Sequence, residues 1–571
     1  MDEYMIQYER WLNSDCLSDA ERAELAAIAN DPTEIRFRFS SYLSFGTAGL
    51  RGTMKTGMNA MNVHTVAYAT QALANVICAE GRAADGVAIA YDSRYNSKLF
   101  AETAASVLAA ADIPVYLFDE LRPTPELSFA LRELKCVAGI NITASHNPKA
   151  YNGYKAYWED GAQLPPEHAD RVAAVMNELD IFKDVRKMDY AEALAAGKIT
   201  LLGAEMDEKY LANVQAQAVN PQAVRDVADE MKIVYSPLHG AGYRLVPEVL
   251  SRIGMKHLLT VPEQMVIDGG FPTVEKPNPE YKNVFELGIA IANREGSDLV
   301  LATDPDADRV GVATRTADGD FITITGNQMG ALLMDYILTA YEETGTMPEF
   351  PYAIKTIVTT ELATRICEAH GVKIHNVLTG FKFIGEVIKS YEAAGYGTFM
   401  LGFEESYGYL KGTYARDKDA VVASMLICEM TAYYKARNMT LFDALNSLYE
   451  KYGFCFESTV EIYQEGVDGP ALIAARMEAL RSPIPTEIAG RRVAKFADYL
   501  TSEITDLASG KVEPTGLPQS NVLSFTLDNG DVIVARPSGT EPKIKFYFLL
   551  MGENKAETEA KFNQYRTALN V

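Results

Sequence analysis

Cysteine is scarce in this chain: Cys16, Cys78, Cys136, Cys367, Cys428 and Cys455 are the six among 571 residues. None forms a C-x-x-C pair, and so wide a scatter reads as free, mostly buried thiols in a reducing compartment. Long apolar runs are missing too. No stretch reaches the about 18 residues that a membrane-spanning helix needs. The opening MDEYMIQYERW lacks a basic n-region and an apolar h-region, so a secretory leader is not expected and the expected location is the cytoplasm. Basic residues are outnumbered, 53 against 77 acidic, for a net charge of −24. That argues against a general nucleic-acid binder. It leaves room for an anionic small substrate, provided that basic side chains cluster locally. Low-complexity linkers are absent as well, so the parts of the chain should pack together.

What is present is an ordinary globular composition, 48% hydrophobic and 23% charged, long enough for several domains. Residues 1–40 read as a helical, peripheral extension, with Ser18 opening a helix before DAERAELAAIA. Beyond it one unit recurs: a short β-rich run, a loop of Gly, Pro, Asp and Ser, then a helical segment. GVAIAYDSR, CVAGINITASHNP, MKIVYSPLHGAG, SDLVLATDPDADR, YAIKTIVTT and GTFMLGFEESYG are the runs; KLFAETAASVLAAAD and VFELGIAIANRE are typical helices between them. Such alternation predicts layered α/β units with largely parallel sheets, and polar loops gathered at the carboxyl ends of strands. The expected divisions are 1–40, 41–205, 206–325, 326–455 and 456–571. The last, with STVEIYQ, NVLSFTL, DVIVARP and KIKFYFLLM, reads as an α+β module of another kind.

Four strand-end loops carry chemistry. In Thr143-Ala-Ser145-His146-Asn147-Pro148, the serine lies beside a histidine, with Lys155 ten residues on. Ser145 is either a nucleophile or phosphate carrier, or a plain turn serine. No G-x-S-x-G elbow exists to support a hydrolase triad. Asp304-Pro-Asp306-Ala-Asp308-Arg309 sets three carboxylates at alternate positions, a hard-oxygen set suited to Mg²⁺ and phosphate. Arg309 and Arg315 stand where an EF-hand needs Gly and Glu. A solvated acidic turn is the alternative, though three like charges so close are unfavourable without a cation. In Gly402-Phe-Glu404-Glu405-Ser406-Tyr407-Gly408, Glu404 and Ser406 point the same way from an extended backbone and suit adjacent sugar hydroxyls, unless the loop is merely acidic. Arg536-Pro-Ser538-Gly539-Thr540-Glu541-Pro-Lys543 offers a guanidinium fork, two hydroxyls and loop amides to a phosphate, or else a simple β-turn. Phe45-to-Gly52, with Arg51, and Gly380-Phe-Lys382 add cations. Tyr91-Asp92-Ser93-Arg94 is placed to brace the serine loop, and Ser236-to-Gly242 reads as a structural turn.

Taken in order, TASHNPKAYNGYK, DPDADR, GFEESYG and RPSGTEPK resemble the α-D-phosphohexomutase superfamily over about residues 40–550. The resemblance implies an α/β protein of four domains around a central cleft: three related α/β sandwich units and a C-terminal α+β helix-flanked sheet. It implies that Ser145 is the phosphoserine that transfers the phosphoryl group. Asp304, Asp306 and Asp308 become Mg²⁺ ligands, with an oxygen of the Ser145 phosphate as another, and Arg309 helps to neutralise that phosphate. Glu404 and Ser406 become readers of sugar hydroxyls; Arg536, Ser538, Gly539, Thr540 and Lys543 hold the non-reacting phosphate. Arg51, Lys155 and Lys382 become cleft cations, with Lys155 the first choice of general acid/base and His146 the second. The family's G-E-Q-S and G-E-M-S-G-H variants of the sugar loop do not match. GFEES followed by RDKDA resembles the phosphoglucomutases, in particular the type-2 phosphoglucomutase/phosphopentomutase branch, which includes glucose-1,6-bisphosphate synthase. The implied activity is interconversion of glucose 1-phosphate and glucose 6-phosphate, primed by glucose 1,6-bisphosphate. The implied partners are small sugar phosphates, with no nucleic acid or membrane, in a monomer or small homo-oligomer. Phosphopentomutase, phosphomannomutase or bisphosphate synthase activity stays open. A non-catalytic phosphosugar binder is disfavoured by the intact serine, aspartates and Arg536.

Overall fold

The computed structural model describes residues 2–46, 49–464, 468–538 and 543–571. Ser18 caps a helix as its sequence predicts: its side chain accepts the amide of Glu21, whose carboxylate returns to the Ser18 amide, and helix Asp19–Ala27 follows. With helices Glu3–Leu12 and Pro32–Phe39 this forms the N-terminal segment. The segment is not peripheral. Trp11 and Phe39 are fully buried in the same apolar core as Val66, Ile89 and Leu108, and the Trp11 ring meets Phe182 and His64 edge-on at 5.0 and 5.5 Å.

The apolar runs become the central strands of three α/β sheets. The first contains β1 (Gly49–Thr53), β2 (Val87–Tyr91), β3 (Val115–Phe118), β4 (Ala138–Ile142), β5 (Tyr151–Trp158) and β6 (Ile199–Leu202), in spatial order β1-β5-β4-β2-β3-β6. Every residue of β2 and β4 is buried, as expected of strands covered on both faces, and β2 runs parallel to both neighbours. The hairpin edge is antiparallel, pairing Asn141 with Lys155 and Arg51 with Gly153. The second sheet has β7 (Lys232–Ser236), β8 (His257–Thr260), β9 (Leu299–Thr303), β10 (Val310–Arg315) and β11 (Phe321–Ile324), in order β11-β10-β9-β7-β8. β7 and β9 are parallel, and the three-aspartate turn joins β9 to the antiparallel β10. In the third, β12 (Pro351–Thr356) lies parallel between β13 (Lys373–Val377) and β14 (Thr398–Glu404).

The chain groups into two compact units. One holds Met1–Thr314, Phe321–Thr323 and Gly408–Ala436; the other holds Arg315–Asp320, Ile324–Tyr407 and Arg437–Val571. Residues 408–436, β15 (Gly408–Leu410) and helix Ala420–Lys435 among them, therefore group with the first two sheets although they follow the third in sequence. The second unit also contains the C-terminal module, an antiparallel sheet in order β16-β23-β22-β21-β18-β19-β20, with β17 on β18. Its strands are β16 (Phe454–Tyr463), β17 (Glu487–Ile488), β18 (Arg491–Asp498), β19 (Glu503–Asp506), β20 (Val512–Pro514), β21 (Leu523–Leu527), β22 (Val532–Pro537) and β23 (Lys543–Gly552). Helices Gly469–Arg481 and Lys555–Ala568 flank it, and Met477, Phe525, Phe548 and Tyr565 meet in its core. Among the described residues no helix is long and apolar enough to cross a membrane.

Candidate active site

In the first unit the serine loop leaves β4 and the aspartate turn leaves β9, and the two meet. Ser145 Oγ donates to Asp304 Oδ2 at 2.9 Å and lies 3.1 Å from His146 Nδ1. Ser145 has the left-handed φ of 50°, an arrangement that costs a non-glycine residue about 1–3 kcal/mol and persists only where its surroundings enforce it. The YDSR segment does so. Arg94 donates to the carbonyls of Ser145, Asn147, Pro148 and Tyr151 at 2.5–3.1 Å. Its partner Asp92 accepts from the Thr143 hydroxyl at 2.6 Å, and the Thr143 hydroxyl accepts the Ser145 amide at 2.8 Å. Gly153 lets the loop lie close: a Cβ there would stand 2.4 Å from the Thr143 carbonyl oxygen.

The aspartate turn is buried and ringed by cations. Lys155 Nζ donates to Asp306 Oδ2 at 2.7 Å and to Asp308 Oδ2 at 3.3 Å. Lys418 Nζ reaches Asp308 Oδ2 at 3.1 Å and Asp417 Oδ1 at 3.0 Å. Asp304 Oδ1 accepts the amides of Asp308 and Arg309. Burial, joined by the charges of Asp306 and Asp308, pushes the Asp304 carboxyl well above its usual range. Burial also opposes ionisation of Asp308, but Lys418, Lys155 and Arg309 outweigh it and hold that carboxyl down. Burial works against the charged form of Lys155 as well; Asp306 and Asp308 prevail, so its pKa moves up and not down as a general base would want. His146 keeps partial solvent exposure, yet desolvation with Arg309 and Arg51 nearby holds it well below its ordinary value.

Oxygens of Asp304, Asp306 and Asp308 lie within 4.8 Å of one another. Asp306 Oδ1 and Asp308 Oδ1 are buried and have no hydrogen-bond partner among the described residues. Arg309 Nε comes no nearer to Asp308 Oδ1 than 3.8 Å. Buried carboxylate oxygens without a hydrogen bond, while their twins are saturated, are costly without a close cation, so this donor set fits a hard divalent metal.

The structure also supplies what the motifs did not reveal. Three successive carbonyls of the turn are held from three other segments: Pro305 O accepts the Ala241 amide at 2.8 Å, Asp306 O the Thr124 amide at 2.8 Å, and Ala307 O the Ala420 amide at 3.1 Å. The Ser236-to-Gly242 turn is thus structural in a specific sense. It backs the aspartate turn, and its His239 ring bonds Val266 O and Thr273 Oγ1, each at 2.8 Å. That fixes a loop whose Phe271 ring lies 5.0 Å from the Arg94 guanidinium. Lys418 and Asp417 belong to the RDKDA string, whose four alternating charges directly before an apolar helix are their only signal in the sequence. Tyr157 and Gln163 secure Asp417 at 2.9 and 3.2 Å. Arg51 and Arg309 border this cluster, bonded to Asn147 and Glu280 respectively.

The second unit holds the remaining candidates. Glu404 is buried at the end of β14, its Oε1 accepting the Gly380 amide at 2.9 Å, which brings it beside the start of the helix that carries Lys382. Ser406 is half-buried two residues on. The same loop leans on helix Gly326–Thr344, where a Cβ on Gly326 would come within 2.1 Å of the Glu405 carbonyl oxygen. Arg536 and Ser538 lie at the end of β22, and the Ser538 amide donates to Lys543 O at 2.8 Å. Lys543 is engaged by Glu461 and Tyr463 at 3.2 and 3.1 Å. Gly539 and Thr540 lie outside the described residues.

A serine presented to a buried three-aspartate turn, on α/β units followed by a C-terminal antiparallel sheet, defines a phosphosugar-mutase architecture. Family models described as phosphoglucomutase/phosphomannomutase alpha/beta/alpha domains I, II and III match residues 42–181, 208–319 and 325–452. The chain belongs to this family, within the α-D-phosphohexomutase superfamily, and is an isomerase of the phosphoryl-transferring kind. A Staphylococcus saprophyticus protein named phosphoglucomutase is 37% identical over 92% of this chain and 93% of its own. A Staphylococcus aureus phosphoglucomutase is 36% identical over 93% of each. Among solved structures, a putative phosphomannomutase from Thermus thermophilus superposes with a TM-score of 0.67 at 20% identity, covering 93% of this chain and all of that one. Parafusin from Paramecium in its open form gives 0.66 at 18%, covering 93% of each chain. At those identities the structures speak for the fold alone.

Proposed function

We propose that this chain is a phosphoglucomutase that interconverts glucose 1-phosphate and glucose 6-phosphate through a phosphorylated Ser145 and glucose 1,6-bisphosphate. The observation that carries the reading is the 2.9 Å approach of Ser145 Oγ to Asp304 Oδ2. It sets the acceptor hydroxyl against the one group of the described residues suited to a divalent ion. The names of the relatives support glucose as the sugar. A cytoplasmic setting goes with it, supported by six unpaired cysteines.

Asp304, Asp306 and Asp308, with an oxygen of the Ser145 phosphate, would hold Mg²⁺, which when bound supplies neutralising charge to the transferring group. The chain's own residues do the rest. Phosphoryl transfer requires positioning and charge compensation more than covalent help. Ser145 carries the phosphate and gives it to the free sugar oxygen. Arg309 and Arg51 balance its charge. Lys155, kept protonated by Asp306 and Asp308, stands as the proton donor of the transfer, and His146, within reach of Ser145 Oγ, serves the serine. Glu404 and Ser406 hold the sugar hydroxyls; Arg536, Ser538, Gly539, Thr540 and Lys543 hold the second phosphate, with Lys382 adding charge. The bisphosphate then reverses, and its other phosphate returns to Ser145.

The test is a side-by-side assay of the 1-phosphates of glucose, mannose, ribose and deoxyribose, each with and without glucose 1,6-bisphosphate. Glucose 1-phosphate should turn over fastest and respond to the primer. Preference for a pentose would replace the assignment with phosphopentomutase, and turnover of none would refute it.

A further inference from the structure

The three aspartates use their oxygens unequally, and one residue outside the turn sets that inequality. Thr124 opens the buried helix Thr124–Glu133 and touches Asp306 twice. Its amide donates to Asp306 O at 2.8 Å and its hydroxyl to Asp306 Oδ2 at 2.7 Å. The direction of the second bond is fixed from behind. The Asn141 side-chain amide donates to the same Thr124 oxygen at 2.6 Å. A hydroxyl has one proton, so a threonine that accepts from Asn141 directs its proton at the carboxylate. Thr124 and Asn141 are both fully buried, so no solvent competes for these bonds.

The relay is anchored at both ends. Asn141 lies on β4 opposite Lys155 on β5, and Lys155 Nζ is the other donor to Asp306 Oδ2. The residue two before Thr124, Arg122, is clamped by Asp207 at 2.7 and 3.2 Å, and its amide donates to Tyr91 O. Asp306 Oδ2 is therefore saturated, while Oδ1 of the same carboxylate is buried and bare among the described residues.

We propose that Thr124 is a positioning residue for the metal site: its hydroxyl, aligned by Asn141, locks the Asp306 carboxylate so that Oδ1 faces the divalent cation. The inference rests on the metal reading above and adds a residue from outside the aspartate turn to it. Outer-shell partners that orient a metal ligand typically change affinity by about 10–100-fold when removed.

The test is direct cation binding to the full-length, unphosphorylated chain, with Mn²⁺ followed by electron paramagnetic resonance and Mg²⁺ added as competitor. Thr124→Val keeps the shape and removes the hydroxyl; it should weaken Mg²⁺ binding about 10–100-fold. Thr124→Ser should restore most of the loss. Should Thr124→Val fail to fold, Thr124→Ala removes the same hydroxyl without a replacement methyl. A folded hydroxyl-less variant that binds Mg²⁺ as tightly as wild type overturns the proposal, whatever its melting temperature. So does a folded serine variant that stays weak, since the hydroxyl is then not the cause. If the wild-type chain binds neither ion, the metal reading itself falls and this inference with it; if it binds and the threonine variants match it, only Thr124 is lost.

Discussion

Gly240→Ala is a small change that reports on how the aspartate turn is held. Gly240 does not need a left-handed backbone; it needs room. A Cβ built there would stand 2.4 Å from Pro305 Cα, 2.7 Å from Pro305 O and 2.9 Å from its carbonyl carbon. All three are backbone atoms, so no side chain can rotate away. Ordinary carbon contacts are about 3.5–4.0 Å, so one segment must retreat by roughly 1 Å. The Ala241 amide bond to Pro305 O, 2.8 Å long, would be the first to stretch. Overpacking of this kind costs about 1–3 kcal/mol. The smaller backbone entropy of an alanine in the unfolded chain returns about 0.4–1 kcal/mol at most. The protein should therefore melt only slightly earlier. Catalysis should suffer more, because Asp304 and Asp306 flank the displaced residue and a 1 Å error in a reacting geometry can cost about 100-fold. The measurement is kcat in a coupled glucose-6-phosphate assay beside thermal melting. A variant that folds and turns over at the wild-type rate would show that the contact between the two turns does not set the site.

Ser145→Ala should abolish turnover while near-ultraviolet dichroism stays native; full activity would remove the serine from the mechanism. Glu404→Gln should raise KM and lower kcat yet leave Mg²⁺ affinity as it was, since Glu404 bonds the Gly380 amide and not the aspartate turn; a collapse of metal affinity would mean that it has the wrong role. His370 gives a pH signature. The Asp335 carboxylate, 3.6 Å from Nε2, aided by Glu342 2.8 Å from Nδ1, raises its pKa against the pull of burial, with Tyr452 and Lys451 also facing the cluster. A raised histidine stabilises the fold fully below its unfolded pKa of about 6.5 and loses that contribution as pH climbs through the folded value. The stability gap between wild type and His370→Gln, from denaturant titrations at pH 6 to 9, should shrink with rising pH, and a gap that widens would contradict the pairing.

Much of this protein was legible before folding. The capping box at Ser18, the runs that became β2, β4, β7, β9, β12 and β14, and the four loops after strands are local features: a capping side chain, a fully apolar run or a Gly/Pro-rich turn expresses its preference over a few residues. Ser145 and the three aspartates became candidates through the order of the four strings; taken alone, the serine string reads as a turn and only the alternating carboxylates stand out. What sequence could not disclose is which separate strings touch. The N-terminal helices looked peripheral because their apolar faces have no partner until Trp11 meets Phe182 and His64.

The chain order alone set the element types and the strand-end strings in which candidate chemistry could be sought. Tertiary structure decided how that chemistry is tuned. Lys418 arrives from a segment more than a hundred residues past the turn, Thr124 and Ala241 from two others, and each supplies a donor that no periodicity announces. The upward shift of Lys155, won by Asp306 and Asp308 against burial, and the Oδ1 atoms of Asp306 and Asp308 that no hydrogen bond reaches among the described residues are products of groups converging from distant strands. Electrostatic energies depend on distance and desolvation, and both exist only once the chain has closed on itself.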